Sequence, residues 1–114
     1  MTPEQTGTAE RLRALLDGEP VTRETSMFGT RAFMVSEKLA VCVQKDGGLL
    51  VHIEPERYDE LVEQGAEQAE MGAGRSMGPG WVTVSAESIA GEDRLRFWVA
   101  AALEYNRILT GRAA

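Results

Sequence analysis

The stretch Leu39-Ala-Val-Cys-Val-Gln-Lys-Asp-Gly-Gly-Leu-Leu-Val-His-Ile-Glu54 decides the fold. Leu39, Val41 and Val43 alternate with Ala40, Cys42 and Gln44, which is the period of a strand, and Asp46-Gly47-Gly48 then supplies a strong hairpin signal. Beyond the turn, Leu49, Val51 and Ile53 point one way while Leu50, His52 and Glu54 point the other. A meander with one apolar side has to be laid against helices.

Upstream, Thr22 to Phe28 and Arg31 to Val35 are rich in β-branched and aromatic residues on either side of Gly29, which predicts two more antiparallel strands. Ser36-Glu37-Lys38 makes the turn back to Leu39. Before them, Ala9, Leu12, Leu15 and Leu16 fall at helical spacing from Thr8 to Asp17, with Thr6 or Thr8 as cap and Gly18 and Pro20 as terminators. Residues 1–7 are expected to be disordered.

Downstream, Pro55 opens a second helix whose apolar stripe is Tyr58, Leu61 and Val62, ending at Gly65. Residues 67–71 are short and weak as a strand, Trp81 to Val84 is firmer, and a glycine run links them as one wide hairpin. Glu92 to Leu109 predicts the longest helix, with Leu95, Trp98, Val99, Ala102, Leu103 and Leu109 near one face and Gly111 past its end. The expectation is one α+β domain over residues 8–110 and a tail at 111–114. Its two layers are an antiparallel sheet of about five strands and the helices packed against it.

Bulk properties narrow the function. At 114 residues the chain fits one domain, and its single cysteine suggests a reducing compartment, hence a cytoplasmic protein. The N-terminus lacks the pattern of a signal peptide and no apolar run spans a bilayer, so no membrane role is expected. Eighteen acidic against 12 basic residues give a net charge of −6, which repels a phosphate backbone, and the basic residues are scattered.

Residue types that carry chemistry have plain explanations here. His52 stands without a partner histidine and reads as a surface or half-buried residue. Cys42 reads as a small buried hydrophobe, because no local feature lowers its pKa. Glu54, Glu56, Asp59, Glu60 and Glu63 read as a solvated helix face. No nucleophile, metal or acid/base constellation emerges, and no cofactor is expected. The glycine run, Met71-Gly-Ala-Gly-Arg-Ser-Met-Gly-Pro-Gly-Trp81, encloses one charge, Arg75, together with the pliable Met77. Backbone N–H groups there offer an anion cradle, but the run lacks a Gly-Lys-Ser/Thr ending and leads into a strand.

Several landmarks in order resemble the N-terminal domain of the TfoX/Sxy family. They are Met27-Phe28-Gly29 with Phe33-Met34, the Asp46-Gly-Gly turn, Glu54-Pro-Glu56, Met71-Gly-Ala-Gly-Arg75-Ser-Met77, Gly80-Trp81-Val82 and Leu95-x-x-Trp98-Val99, covering about residues 8 to 110. Gly29-Thr30 and Glu37 stand where the family commonly has Gly-Gly and glycine, and Gly78-Pro79-Gly80 is a residue longer than the usual link. The resemblance implies a two-layer α+β fold and a role in regulation. Named members regulate natural competence, are thought to act with a transcription factor such as the cAMP receptor protein, and carry a further C-terminal domain that 114 residues do not accommodate. It brings no catalytic residues.

The resulting expectation is a stand-alone, non-enzymatic regulatory or protein-interaction module whose partner is a protein, by resemblance a transcription factor. Gly74, Arg75, Met77 and Gly80 form the candidate partner or ligand surface. Met27, Phe28, Gly29, Phe33, Met34, Trp81 and Trp98 are structural landmarks, with core packing expected for most of the large ones. A small-molecule or anion sensor built on residues 72–80 is the alternative, and direct nucleic-acid binding ranks below both. An open antiparallel sheet also offers an edge for homodimerisation.

Overall fold

The structure, a computed structural model, describes residues 2–19, 23–27, 29–70 and 74–111. Phe28, Met71 and Gly72 lie outside the described residues, as does the side chain of Met27. From the N-terminus run α1 (Pro3–Leu16), β1 (Arg23–Met27), β2 (Thr30–Val35), β3 (Lys38–Val43) and β4 (Leu49–His52). A 3-10 turn at Pro55–Arg57 then leads into α2 (Tyr58–Glu63), followed by β5 (Glu67–Gln68), β6 (Trp81–Val84) and α3 (Glu92–Thr110).

The Asp46-Gly47-Gly48 turn does what its sequence predicts. The Asp46 carboxylate accepts from the Gly48 N–H at 2.8 Å, and Gln44 and Gly48 close the hairpin between β3 and β4. Gly47 takes a φ of +89°, and Gly48 lies so close to β6 that a Cβ there would stand 2.6 Å from the Val84 carbonyl oxygen. Both glycines are therefore required by geometry.

The strands form an antiparallel 6-stranded sheet in the order β1-β2-β3-β4-β6-β5. The sixth strand is β5, a two-residue remnant of the weak segment at 67–71. After β4 the chain crosses through α2 to the sheet edge and returns, so that β6 inserts between β4 and β5. Phe33, Val41, Val51 and Val82 lie in one cross-strand row and belong to one buried cluster with Leu12 of α1, Leu61 of α2 and Leu95 and Trp98 of α3. All three helices thus cover the same face of the sheet.

The structure corrects the sequence reading at four places. First, α1 begins at Pro3, so residues 3–7 are helical and not a disordered lead-in. Thr2 and Gln5 make a reciprocal capping box, and the buried Gln5 amide donates to the carbonyls of Gly29 at 3.1 Å and Val43 at 2.9 Å. Second, the alternation expected for Leu39 to Val43 breaks at a bulge. Phe33 pairs with Val41 but Met34 with Leu39, which leaves Ala40 as the extra residue, in the core cluster, while Leu39 is not.

Third, Leu109 is 41% exposed, and the buried position near the end of α3 is Asn106, whose Nδ2 donates to the Val35 carbonyl at 3.0 Å. The amide there adds a side-chain donor to the carbonyl that opens the β2–β3 turn. Fourth, Val62 is exposed, because α2 is too short to bury more than Leu61.

Charged side chains fasten the helices from outside. Glu24 on β1 accepts from Arg13 of α1 at 2.6 and 2.8 Å and from Arg31 of β2 at 3.1 Å. Hydrogen bonding to Arg13 above all holds its carboxyl below the usual range.

Candidate functional site

The described part of the glycine run is a loop fastened by its own backbone. Glu70 bridges Ser76, the Met77 N–H donates to the Ala69 carbonyl at 2.9 Å, and the Gly80 carbonyl accepts from the Ile53 N–H at 2.9 Å. Gly74 and Gly78 turn the chain with φ of +72° and +89°. Their N–H groups are already engaged, Gly74 with the Glu70 carboxylate at 3.0 Å and Gly78 with the Ser76 hydroxyl at 3.0 Å.

Arg75 stands exposed on this loop. Every other arginine among the described residues meets a carboxylate or a carbonyl: Arg94 donates to the Gln64 carbonyl at 2.6 Å and the rest face glutamates. Arg75 makes no hydrogen bond or ion pair with the described residues. Met77 beside it is half-buried.

Gly80 carries the loop into an aromatic group that the sequence did not reveal. The rings of His52 and Trp81, paired across β4 and β6, stack at 4.1 Å between centroids with 9° between planes, and Tyr105 of α3 meets His52 edge-on at 5.0 Å. The only signal was that both His52 and Trp81 occupy outward positions. Which strand of the meander β6 would join was not written in the pattern.

His52 is half-buried, as the sequence reading allowed, and its ring has two aromatic neighbours. Partial burial lowers its pKa, and the Leu39 carbonyl at 3.4 Å opposes only part of that. The folded state therefore prefers the neutral ring more than the unfolded chain does. As pH falls through the ordinary histidine range near 6.5 the unfolded chain takes up the proton first, so stability is lost. We expect the urea midpoint to fall between pH 7.5 and 5.5 and the slope to vanish in His52→Gln, His52 being the chain's only histidine. Glu24 acts in a separate window, since its depressed pKa makes its contribution disappear only below the usual carboxylate range.

On the outward face, Cys42 is 2% exposed, and burial pushes its thiol pKa up. It packs as the small hydrophobe expected. Among the large landmarks Phe33 and Trp98 are fully buried, whereas Met34 and Trp81 are half-buried on the outward face. Glu56, Asp59, Glu60 and Glu63 are exposed and Glu54 is half-buried. A depression of 370 Å³ lined by Gln5, Ser26, Gly29, Thr30 and Arg31 has its strongest donors in use, since the Gln5 amide holds two carbonyls and Arg31 meets Glu24. Among the described residues no group of three acidic, histidine or cysteine side chains is placed to hold a metal ion, and no helix is long and apolar enough to cross a membrane.

Compared with known protein families, the chain matches the TfoX N-terminal domain over residues 14–105. It belongs to that family. The match starts late in α1 and runs through every strand into α3, so the capped first turns of α1 lie outside it. A comparison with curated proteins found no match. Within this TfoX N-terminal domain, Gly29 sits at the β1–β2 turn with a φ of +79°, Phe33 and Trp98 anchor the core, and Trp81 opens β6.

Proposed function

We propose that this chain is a non-enzymatic regulatory or protein-interaction module of the cytoplasm that contacts a partner protein through Arg75 and Met77, held in place by the backbone at Gly74 and Gly80. One observation carries the reading: among the described residues Arg75 is the arginine left without a partner, on a loop whose backbone is otherwise engaged. A guanidinium held out in this way is suited to a carboxylate of another protein, and the adjacent thioether adds an adaptable apolar contact. Membership of the TfoX N-terminal domain family supports a regulatory setting, with a transcription factor as the kind of partner.

The alternative of an anion sensor on residues 72–80 is less well supported. An anion cradle needs free backbone donors, whereas those of Gly74 and Gly78 are occupied and Glu70 adds a negative charge beside them. Direct nucleic-acid binding is opposed by the net charge of −6 and by arginines already neutralised by glutamates.

The test is capture from nuclease-treated lysate of the source organism, comparing wild type with Arg75→Ala of matched unfolding midpoint. A protein retained by the wild type and bound about tenfold more weakly by the variant is expected. Equal retention by both, or none by either, overturns the reading.

A further inference from the structure

The two edges of the sheet differ in what they offer a neighbour. β5 is a strand of 2 residues and leaves almost nothing to pair with. β1, at the opposite edge, has 5 residues, no proline and an unbroken register against β2. The turn sets the phase of its ladder. Met27 pairs with Thr30 across two intervening residues, so these two exchange both backbone hydrogen bonds, and the alternation of an antiparallel pair repeats that exchange at Thr25 with Ala32 and at Arg23 with Met34. The N–H and C=O groups of Glu24 and Ser26 therefore point away from β2, and no described residue takes them up. Such a row is a template for another strand.

We propose that a second copy of this chain takes this edge, β1 running antiparallel to β1 about a two-fold axis perpendicular to the sheet at Thr25. The two sheets then join into one.

The backbone phase selects the register. Only Glu24 and Ser26 turn their groups outward, so the pairs that exchange bonds are Glu24 with Glu24, Ser26 with Ser26, or Glu24 with Ser26 of the second copy. The first sets like charges directly opposite. The second slides Arg23 and Glu24 past the strand, against the turn at positions 28 and 29. The third keeps the whole of β1 paired, with Arg23 opposite Met27 and Thr25 opposite Thr25. In it the two Glu24 residues stand diagonally, about 7–8 Å apart, and each carboxylate is held by Arg13 and Arg31 of its own chain.

The side chains explain why the occupant is this same strand. Arg23 is paired with Glu37, Glu24 with Arg13 and Arg31, and the Ser26 hydroxyl accepts from Arg31. Thr25 is exposed and has no such partner among the described residues, which leaves it as the side chain for recognition. At the axis it meets itself, in a pair without hydrogen bonds between the backbones, where side chains come closest and a threonine suits a threonine. Helix α1 packs over β3 and reaches β1 with the long Arg13 side chain, so the two helical layers, on one side of the joined sheet, leave the edges free to meet. The contact is small, which makes the dimer weak and concentration-dependent. It lies at the opposite edge from the Arg75 loop, which joins β5 to β6, and stands or falls independently of the partner reading.

The experiment is sedimentation velocity on the full chain over a concentration series, with the mass expected to rise from one chain to two. Thr25→Lys, at an exposed side chain, sets like charges face to face and is expected to weaken association at least about tenfold. Ser26→Pro removes an N–H that the ladder to β2 does not use and is expected to do the same. Cross-linking reads the register. Under mild oxidation Thr25→Cys is expected to give a disulfide-linked dimer, since residues paired in this way have Cα atoms about 4.5 Å apart, whereas Ser26→Cys is not, its two copies lying diagonally beyond the roughly 7 Å limit. Cys42, 2% exposed, stays out of the exchange. A one-chain mass at every concentration overturns the proposal and leaves the edge to a strand of a different protein. A dimer that survives both Thr25→Lys and Ser26→Pro overturns the edge, and a cross-link at position 26 in place of 25 overturns the register.

Discussion

Trp98→Ala is expected to lower the free energy of unfolding by about 3–5 kcal/mol, the range for deleting a buried aromatic side chain. Trp98 is 0% exposed at the centre of the layer between α3 and the sheet, and Phe97 meets its ring edge-on at 4.9 Å. Its removal leaves a cavity in the one cluster that joins all three helices to the strands. The same ring carries an imperfection, because its buried Nε1–H has no hydrogen-bond partner among the described residues. Trp98→Phe keeps most of the volume and removes that unpaired donor. It is expected to cost only about 1–2 kcal/mol, lost packing being partly offset by the donor no longer buried unpaired. Urea unfolding of both variants checks the pair. A phenylalanine variant as unstable as the alanine one would mean that retained volume does not rescue the site and that the indole itself is required.

Gly48→Ala is the second large effect. The added methyl would start 2.6 Å from the backbone oxygen of Val84, and neither β4 nor β6 can yield without disturbing the ladder between Leu49–His52 and Trp81–Val84. Overpacking against backbone places the cost at about 3 kcal/mol, or roughly 10 °C in thermal midpoint for a domain of this size. Gly91→Ala is the matched control. No atom lies within 4 Å of the position its Cβ would take, and its φ of −80° suits any residue. It replaces the N-cap of α3, where glycine is tolerated better than alanine, and is expected to cost about 1 kcal/mol, well below the cost at Gly48.

Much of the fold was legible because the informative residues act locally. The Asp46-Gly47-Gly48 turn, the inward set Leu49, Val51 and Ile53, and the cap at Gly111 all depend on neighbours a few positions away. The start of α1 was equally local. Thr2 and Gln5 stand at capping-box spacing with Pro3 between them, a signal that apolar periodicity does not carry. The bulge at Ala40 was not legible, since it arises from how β2 and β3 fit together. Leu109 misled because helical spacing marks a face but not where the sheet beneath it ends. At the candidate site, the sequence named Arg75 as the charge of the glycine run, but its isolation became visible only when the other described arginines had found their glutamates and carbonyls. The His52–Trp81 stack belongs wholly to strand register, and nothing in either residue's own neighbourhood announced it.

The attachments of α1 also bear on the order in which the chain is made and folded. Thr2, Gln5 and Thr8 are secured by carbonyls of Lys45, Val43 and Gly47, between 38 and 43 residues further on. During synthesis this helix leaves the ribosome ahead of those strands, and its fastenings do not exist until the β3–β4 hairpin has followed it out. Glu19 waits longer still, for Arg107 at a separation of 88 residues. Helix α1 is thus made before the residues that fasten it and is among the last elements to be locked, and until then its apolar side is open to whatever receives the emerging polypeptide.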